Sequence, residues 1–230
     1  MKKTLRKLIP IQVLEIYKNI KNKRTKKSKR QIFTEYFVNN YWSSTESKSG
    51  GGSTIKQTKT LVQEFDILLV DLDIKSILDI PCGDYNWMQK VKMPNVKYIG
   101  ADIVKPLIKD NKEKFKLREN VEFKIINIIC ERLPKSDLVF VRDCFVHLSI
   151  DEINKAIKNI KKSGSKYLLT TTFINHKINK ESVDGEWRTL NLEEFPFNFP
   201  KPLFVINENC TEDNNEYIDK SVALWKIDQL

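Results

Sequence analysis

The sequence predicts an open α/β sheet, mostly parallel and closed by an antiparallel strand pair, and three observations carry that prediction. From Lys75 onward, short apolar runs alternate with helix-length amphipathic stretches, the pattern of a parallel sheet with helices on both faces. The stretch 150–162 is bounded at both ends: Ser149, with Glu152 three residues on, reads as a capping box, and Gly164 as a C-terminal stop. The strand-like runs 203–208 and 221–227 are joined by an acidic, Asn-rich connection too polar for a crossover helix, so they should pair antiparallel.

In chain order, residues 1–30 form a basic arm with 12 Lys or Arg and one acid, Glu15, a charge of +11. The whole-chain charge of +10 therefore describes the arm and does not make the body a nucleic-acid binder. Within the arm Ile11, Leu14, Ile16, Tyr17 and Ile20 recur at near-helical spacing between basic clusters. Such a segment packs on its own domain as an amphipathic helix, stays disordered, or contacts an anionic membrane surface. Nucleic acid is the weakest partner, because 21–30 lacks the interleaved aromatics of a stacking platform.

Residues 31–74 read as a helical cap. An apolar periodicity covers 32–41, a loop at 42–54 holds three of the seven glycines, and a helix over 55–72 puts Leu61, Phe65, Leu68 and Leu69 on one face. The glycine loop, with its hydroxyls and Glu46, is either a flexible linker or a lid and cradle for an oxyanion. Residues 75–230 then supply strands at 77–80, 98–101, 121–128, 138–141 and 167–172, helices near 104–117 and 150–162, and the final strand pair.

At 230 residues, 40% hydrophobic and 30% charged, with 7 Gly and 8 Pro, the chain can bury a core and is not collagen-like, low-complexity or disordered throughout. No apolar run approaches the roughly 18 residues of a spanning helix. The first residues lack an apolar segment followed by a small-residue cleavage site, so a cytoplasmic location is expected, with the arm able to make it peripheral at the inner membrane surface. Cys82, Cys130, Cys144 and Cys210 lie too far apart for a zinc knuckle or a disulfide scaffold, so free, mostly buried thiols and no metal are expected.

In an open α/β sheet the ligand lies beyond the carboxyl ends of the strands. The first strand runs into Asp79-Ile-Pro-Cys-Gly-Asp84, a tight polar loop with one glycine. A dinucleotide loop would need three glycines at fixed spacing and a P-loop a phosphate-binding lysine, and neither is present. The second strand ends at Asp102, where an acid can accept both hydroxyls of a ribose, which suits a nucleoside without a phosphate chain.

These residues, with Leu133-Pro-Lys-Ser-Asp-Leu-Val-Phe140, resemble the class I S-adenosylmethionine-dependent methyltransferases over about residues 75–227. The resemblance implies a Rossmann-like, seven-stranded, mostly parallel sheet with a terminal antiparallel hairpin, preceded here by an N-terminal helical segment. It implies S-adenosyl-L-methionine (SAM) as cofactor. The cofactor residues would be Asp79, Pro81, Cys82 and Gly83 in the first loop, Asp102 and Ile103 at the ribose, Asn127 and Ile128 near adenine, and Arg142 after the fourth strand. Pro81 and Tyr85 depart from the glycine-rich version of the loop.

The fourth strand leads into Arg142-Asp-Cys-Phe-Val-His-Leu148, directly before the capped helix. A hydroxyl acceptor must lose its proton, and His147, with an ordinary pKa of about 6.5, suits a general base. Asp143 would orient it, act as the base itself, or hold an acceptor cation. After the fifth strand, Trp187 and Arg188 combine an aromatic platform with a fork for carboxylate or phosphate, whereas the three Phe of 195–199 read as core. Trp42, Glu46, Ser47 and Gly51 would close over the acceptor from the glycine loop. Tyr41-Trp42, Glu46-Ser-Lys-Ser-Gly50, Arg142-Asp143, His147 and Trp187-Arg-Thr-Leu-Asn191 together resemble bacterial methyltransferases of surface-polysaccharide biosynthesis. That resemblance implies O-methylation of a hydroxyl on a sugar or other polar small molecule or glycan. The alternatives are methylation of an amine or a phosphorus-linked oxygen, or a nucleic-acid-binding protein on the same fold.

Overall fold

The computed structural model describes residues 27–230, so the amphipathic pattern at 8–20 lies outside the described residues. Seven strands form one sheet: β1 (Ser76–Asp79), β2 (Lys97–Asp102), β3 (Val121–Ile125), β4 (Leu138–Val141), β5 (Tyr167–Phe173), β6 (Phe204–Asn207) and β7 (Lys220–Lys226). Their order is β3-β2-β1-β4-β5-β7-β6. The first five strands pair parallel, and β7 inserts between β5 and β6, antiparallel to both. Both the parallel body and the antiparallel end agree with the expectation from sequence.

The helices are α1 (Lys29–Val38), α2 (Lys59–Asp71), α3 (Lys105–Lys114) and α4 (Ile150–Lys162). Strand β4 shows why the sheet needs cover on both faces, since all four of its residues are apolar and buried. Leu138 and Phe140 join the core that holds Leu61, Phe65 and Leu68 of α2. Val139 and Val141, on the opposite side of the pleat, meet Ile153, Ala156, Ile157 and Ile160 of α4.

Departures from the expected boundaries have local causes. The strand expected over 121–128 stops at Ile125 because Asn127 turns the chain: its Oδ1 accepts from Ile129 N at 3.0 Å, and its own N–H donates to Glu131 Oε2 at 3.0 Å. The helix expected over 55–72 begins at Lys59, since Glu46 Oε1 holds Ile55 N at 2.7 Å in the preceding turn. At α4 the capping box is half formed. Ser149 Oγ accepts from Glu152 N at 3.4 Å, but the N–H of Ser149 donates to Asp184 Oδ1 at 3.0 Å. Glu152 instead faces Lys29 and Lys155 at 3.2 Å each.

Helix α1 starts two residues inside the basic arm as counted from sequence, behind a complete capping box of Ser28 and Gln31. Lys29 pairs with Glu152 and Asp184, and Arg30 Nε donates to the carbonyl of Ile103 at 3.2 Å, so these two charges serve the body. Of the three Phe near 195–199 only Phe199 is buried, and Phe195 is 78% exposed. The cysteines are free, with Cys82 and Cys210 buried and Cys130 exposed. No helix among the described residues is long and apolar enough to cross a membrane.

Candidate active site

The chain reverses its direction of winding between β1 and β4, so the loops after these two strands part and leave a crevice at their carboxyl ends. A cavity of about 810 Å³ opens there. One end is lined by Asp79, Pro81, Cys82 and Gly83, with Asp102, Ile103, Asn127 and Ile128 beside them. The other end takes in Arg142, Asp143 and His147, with Trp42, Gly51 and Trp187 as walls. Glu46, Ser47 and Arg188 are not among its lining residues.

The loop after β1 is an extension of the sheet: Ile80 N donates to the carbonyl of Phe140 and Cys82 N to that of Ala101, at 2.9 and 2.8 Å. Tyr85, which stands where the glycine-rich version of the loop has a glycine, has φ +58° and is buried against Tyr98, Phe115 and Phe123, with ring centroids 5.0, 4.9 and 5.4 Å away. An aromatic anchor thus holds the turn. Gly83, at φ +53°, must lack a side chain because a Cβ would collide with Ser49 Oγ.

Two carboxylates at this end are buried without a salt-bridge partner among the described residues. Asp79, 3% exposed, accepts from Tyr98 Oη at 2.5 Å, and burial drives its pKa up to about 8 although the tyrosine hydroxyl opposes the shift. Asp102 accepts from Val104 N at 2.9 Å, and burial raises it to about 6 against the pull of backbone N–H groups.

The glycine loop is tied down and is not a linker. Asp84 accepts from Ser47 Oγ at 3.0 Å, Lys48 N at 2.7 Å and Ser49 Oγ at 3.4 Å. Glu46 binds Ile55 N and Asn86 Nδ2. Glu46 and Ser47, expected at the acceptor, are therefore the clamps of the loop, and Gly51 reaches the cavity because they hold it there. A Cβ at Gly51 or Gly52 would stand 2.8 or 2.9 Å from a carboxylate oxygen of Glu212.

The far end is an ion network. Arg142, 6% exposed, grips Glu208 through Nε–Oε1 at 3.1 Å and Nη2–Oε2 at 2.6 Å, and also donates to the carbonyl of Gly52 at 2.8 Å. Asp143, at φ +51°, is fixed by its N–H to Thr171 Oγ1. Its Oδ2 meets Lys220 Nζ at 2.7 Å and Arg142 Nη1 at 3.2 Å. Burial resists ionisation of Asp143, but Lys220 and Arg142 outweigh it and hold the pKa down at about 2. A carboxylate so held is a weak base.

His147 lies between the rings of Phe33 and Trp42, centroids 6.2 and 6.0 Å away. Burial lowers its pKa to about 4, despite the opposing pull of Asp143 and of a hydrogen bond to the Glu186 backbone. The imidazole is therefore uncharged at neutral pH. Its Nδ1 and the Oδ1 of Asp143 are buried without a hydrogen-bond partner among the described residues.

The insertion after β5 divides its two expected residues. Trp187 faces the cavity, 4.7 Å from the ring of Tyr217, whereas Arg188 turns inward to the carbonyls of Lys180 at 2.8 Å and Val146 at 3.2 Å. Sequence reasoning missed Glu208 and Lys220. The available signal was Arg142 itself, a cation in a buried strand end that needs an anion.

No protein-family model and no curated protein sequence matches the chain. Solved structures do. Human N-acetylserotonin methyltransferase in complex with SAM superposes with a TM-score of 0.53 at 12% identity, over 74% of this chain and 51% of that one. PigF with SAH gives 0.55 at 12% identity, over 74% and 56%. The methyltransferase domain of a bacterial CtHen1 gives 0.52 at 14% identity, over 75% and 98%. The chain spans about half the length of the first two. At such identities the likeness is one of architecture: the chain has the Rossmann-like fold of the class I methyltransferases.

Proposed function

We propose that the protein is a SAM-dependent methyltransferase that methylates a hydroxyl of a sugar or other polar small molecule, with surface polysaccharide as the acceptor class its sequence resemblance suggests. The observation that carries the reading is the pair Asp79 and Asp102, buried carboxylates without a salt-bridge partner among the described residues at the ends of adjacent strands, beside a loop in which Gly83 allows the close approach of Ser49. They fit a cationic nucleoside: Asp102 accepts from the ribose hydroxyls, while Asp79 and the Cys82–Gly83 backbone meet the amino-acid end. When bound, SAM supplies a sulfonium methyl group; the acceptor oxygen forms the new C–O bond as the C–S bond breaks and its electron pair stays on sulfur.

The protein's own part is alignment and one proton. His147, uncharged, takes the hydroxyl proton on Nδ1, the ring nitrogen without a partner among the described residues, while a hydrogen bond to the Glu186 backbone orients the ring. Trp42, Trp187 and the Gly51 loop wall off water. Calorimetric titration with SAM, followed by detection of demethylated product against sugar nucleotides, glycans, phosphates and RNA, tests the reading. Absence of SAM binding defeats it, and turnover on RNA alone replaces the acceptor class. The arm of residues 1–30 suits contact with an anionic membrane surface from the cytoplasmic side. Sedimentation with anionic vesicles at physiological salt tests that, and protein left in the supernatant removes it.

A further inference from the structure

Two buried hydrogen-bond acceptors in the same cavity have no partner among the described residues, Oδ1 of Asp143 and Nδ1 of His147. They sit four residues apart in the segment between β4 and α4, and a buried lone pair left without a donor is costly. Neither atom can satisfy the other. The carboxylate has no proton to give, because Lys220 and Arg142 keep it ionised through Oδ2. Because Nδ1 has no partner among the described residues while the ring is hydrogen-bonded to the Glu186 backbone, the single N–H of the neutral imidazole is assigned to the other nitrogen. Whatever fills this end must therefore bring two donors.

The surrounding charges say what kind. Asp143 and Glu208 are already matched by Lys220 and Arg142, two anions with two cations. Glu186, Glu212 and Asp213 add carboxylates to the lining, but Asp213 is exposed and the other two are partly exposed, so solvent screens them. Burial disfavours positive charge on the imidazole and outweighs the opposing pull of Asp143 and the Glu186 backbone, and the same desolvation disfavours an ammonium in contact with it. The walls are flat and apolar: Phe33 and Trp42 flank the histidine, and Trp187 packs on Tyr217. We infer that the acceptor is a vicinal diol, one hydroxyl donating to Nδ1 of His147 and its neighbour to Oδ1 of Asp143. Asp143 is then a specificity residue that selects a hydroxyl with a hydroxyl beside it, and Lys220 holds it in the acceptor-only state. The inference rests on reading the cavity as a methyltransferase site and names the acceptor class within it.

The test uses the full chain saturated with S-adenosylhomocysteine and four probes of similar size: catechol, phenol, anisole and benzylamine, with affinities read by ligand-observed NMR. Catechol should bind about tenfold or more tightly than phenol, as a second hydrogen bond to an ionised group implies, and anisole most weakly. Asp143→Asn puts an N–H among the carboxylate oxygens and should bring catechol to within about threefold of phenol. Catechol no tighter than phenol, benzylamine the tightest of the four, no binding by any probe up to about 10 mM, or an unchanged catechol preference in Asp143→Asn overturns the diol. Should that variant not fold, the wild-type ranking decides. Should SAM and S-adenosylhomocysteine fail to bind, the methyltransferase reading falls, and the same probes titrated alone still decide the diol.

Discussion

The two ends of the cavity treat buried carboxylates in opposite ways. Asp79 and Asp102 are buried without salt-bridge partners among the described residues, and burial pushes them up to about 8 and 6. Glu208, buried, and Asp143, a quarter exposed, pair with Arg142 and Lys220, and Asp143 is held at about 2. A carboxylate left bare gains from a cationic ligand, since the ligand supplies the charge the fold withholds. A carboxylate already matched has no such gain, and it recognises a ligand only through its free lone pairs. One cavity can thus accept a cation at one end and a neutral molecule at the other.

Four changes would break or sharpen that contrast. The largest effect is expected at His147, where substitution by Gln keeps a hydrogen bond but takes no proton. Turnover at saturating cofactor should fall about 10²- to 10⁴-fold with SAM affinity nearly unchanged. In wild type the acid limb of that turnover should lie near pH 4, well below the value of a solvent-exposed histidine, because burial keeps the imidazole neutral down to there. Full turnover in the variant leaves alignment as the sole contribution.

Next comes Arg142→Met, which strips Glu208 of its bidentate partner in a site where both side chains are nearly inaccessible, at 4% and 2% exposure. Denaturant unfolding should show a loss of about 3–5 kcal/mol. A loss under about 1 kcal/mol, the range of a surface pair, would mean that the matched end is no more than ordinary surface. Asp102→Ala should weaken SAM by about 1.5–3 kcal/mol in calorimetry, the scale of hydrogen bonds to a charged group, and equal affinity in a folded variant removes Asp102 from the cofactor site.

The smallest effect is in pH. Between pH 5.5 and 7.5 SAM should bind more tightly as pH rises, up to about tenfold, because the cation favours the ionised forms of Asp79 and Asp102. In the free protein the sign reverses. Both folded pKa values lie above the ordinary 3.8, so these acids contribute most to stability at low pH, and that contribution is lost as pH climbs through about 6 and then 8. Asp79→Asn should flatten the upper part of both curves; a SAM affinity indifferent to pH would contradict the bare-carboxylate picture.

The sheet was legible in the sequence where a strand is an apolar run closed by a polar residue, as at β1, β2 and β4: β4 and α4 have the expected limits, and β1 and β2 differ by a residue or so. The bare end of the cavity was legible for the same reason, as strand ends are where apolar runs meet Asp. The matched end was not. Arg142 and Glu208 are 66 residues apart and Asp143 and Lys220 are 77 apart, joined only through the insertion of β7 beside β5. Nor could composition separate Trp187 from Arg188, since neighbours in an extended segment face opposite ways and only the fold decides which side is the cavity.

Strand β7 is made after β6 yet lies between β6 and β5. During synthesis β5 must wait with one edge open until some fifty residues more have emerged, and β6 has nothing to pair with until β7 arrives. Lys220 is the first residue of that strand, so the turn carrying Asp143 and His147 can form early while the lysine that neutralises Asp143 comes only with the closing strand. The bare end of the cavity belongs to the early half of the chain, and the matched end is completed by the last strand to join the sheet.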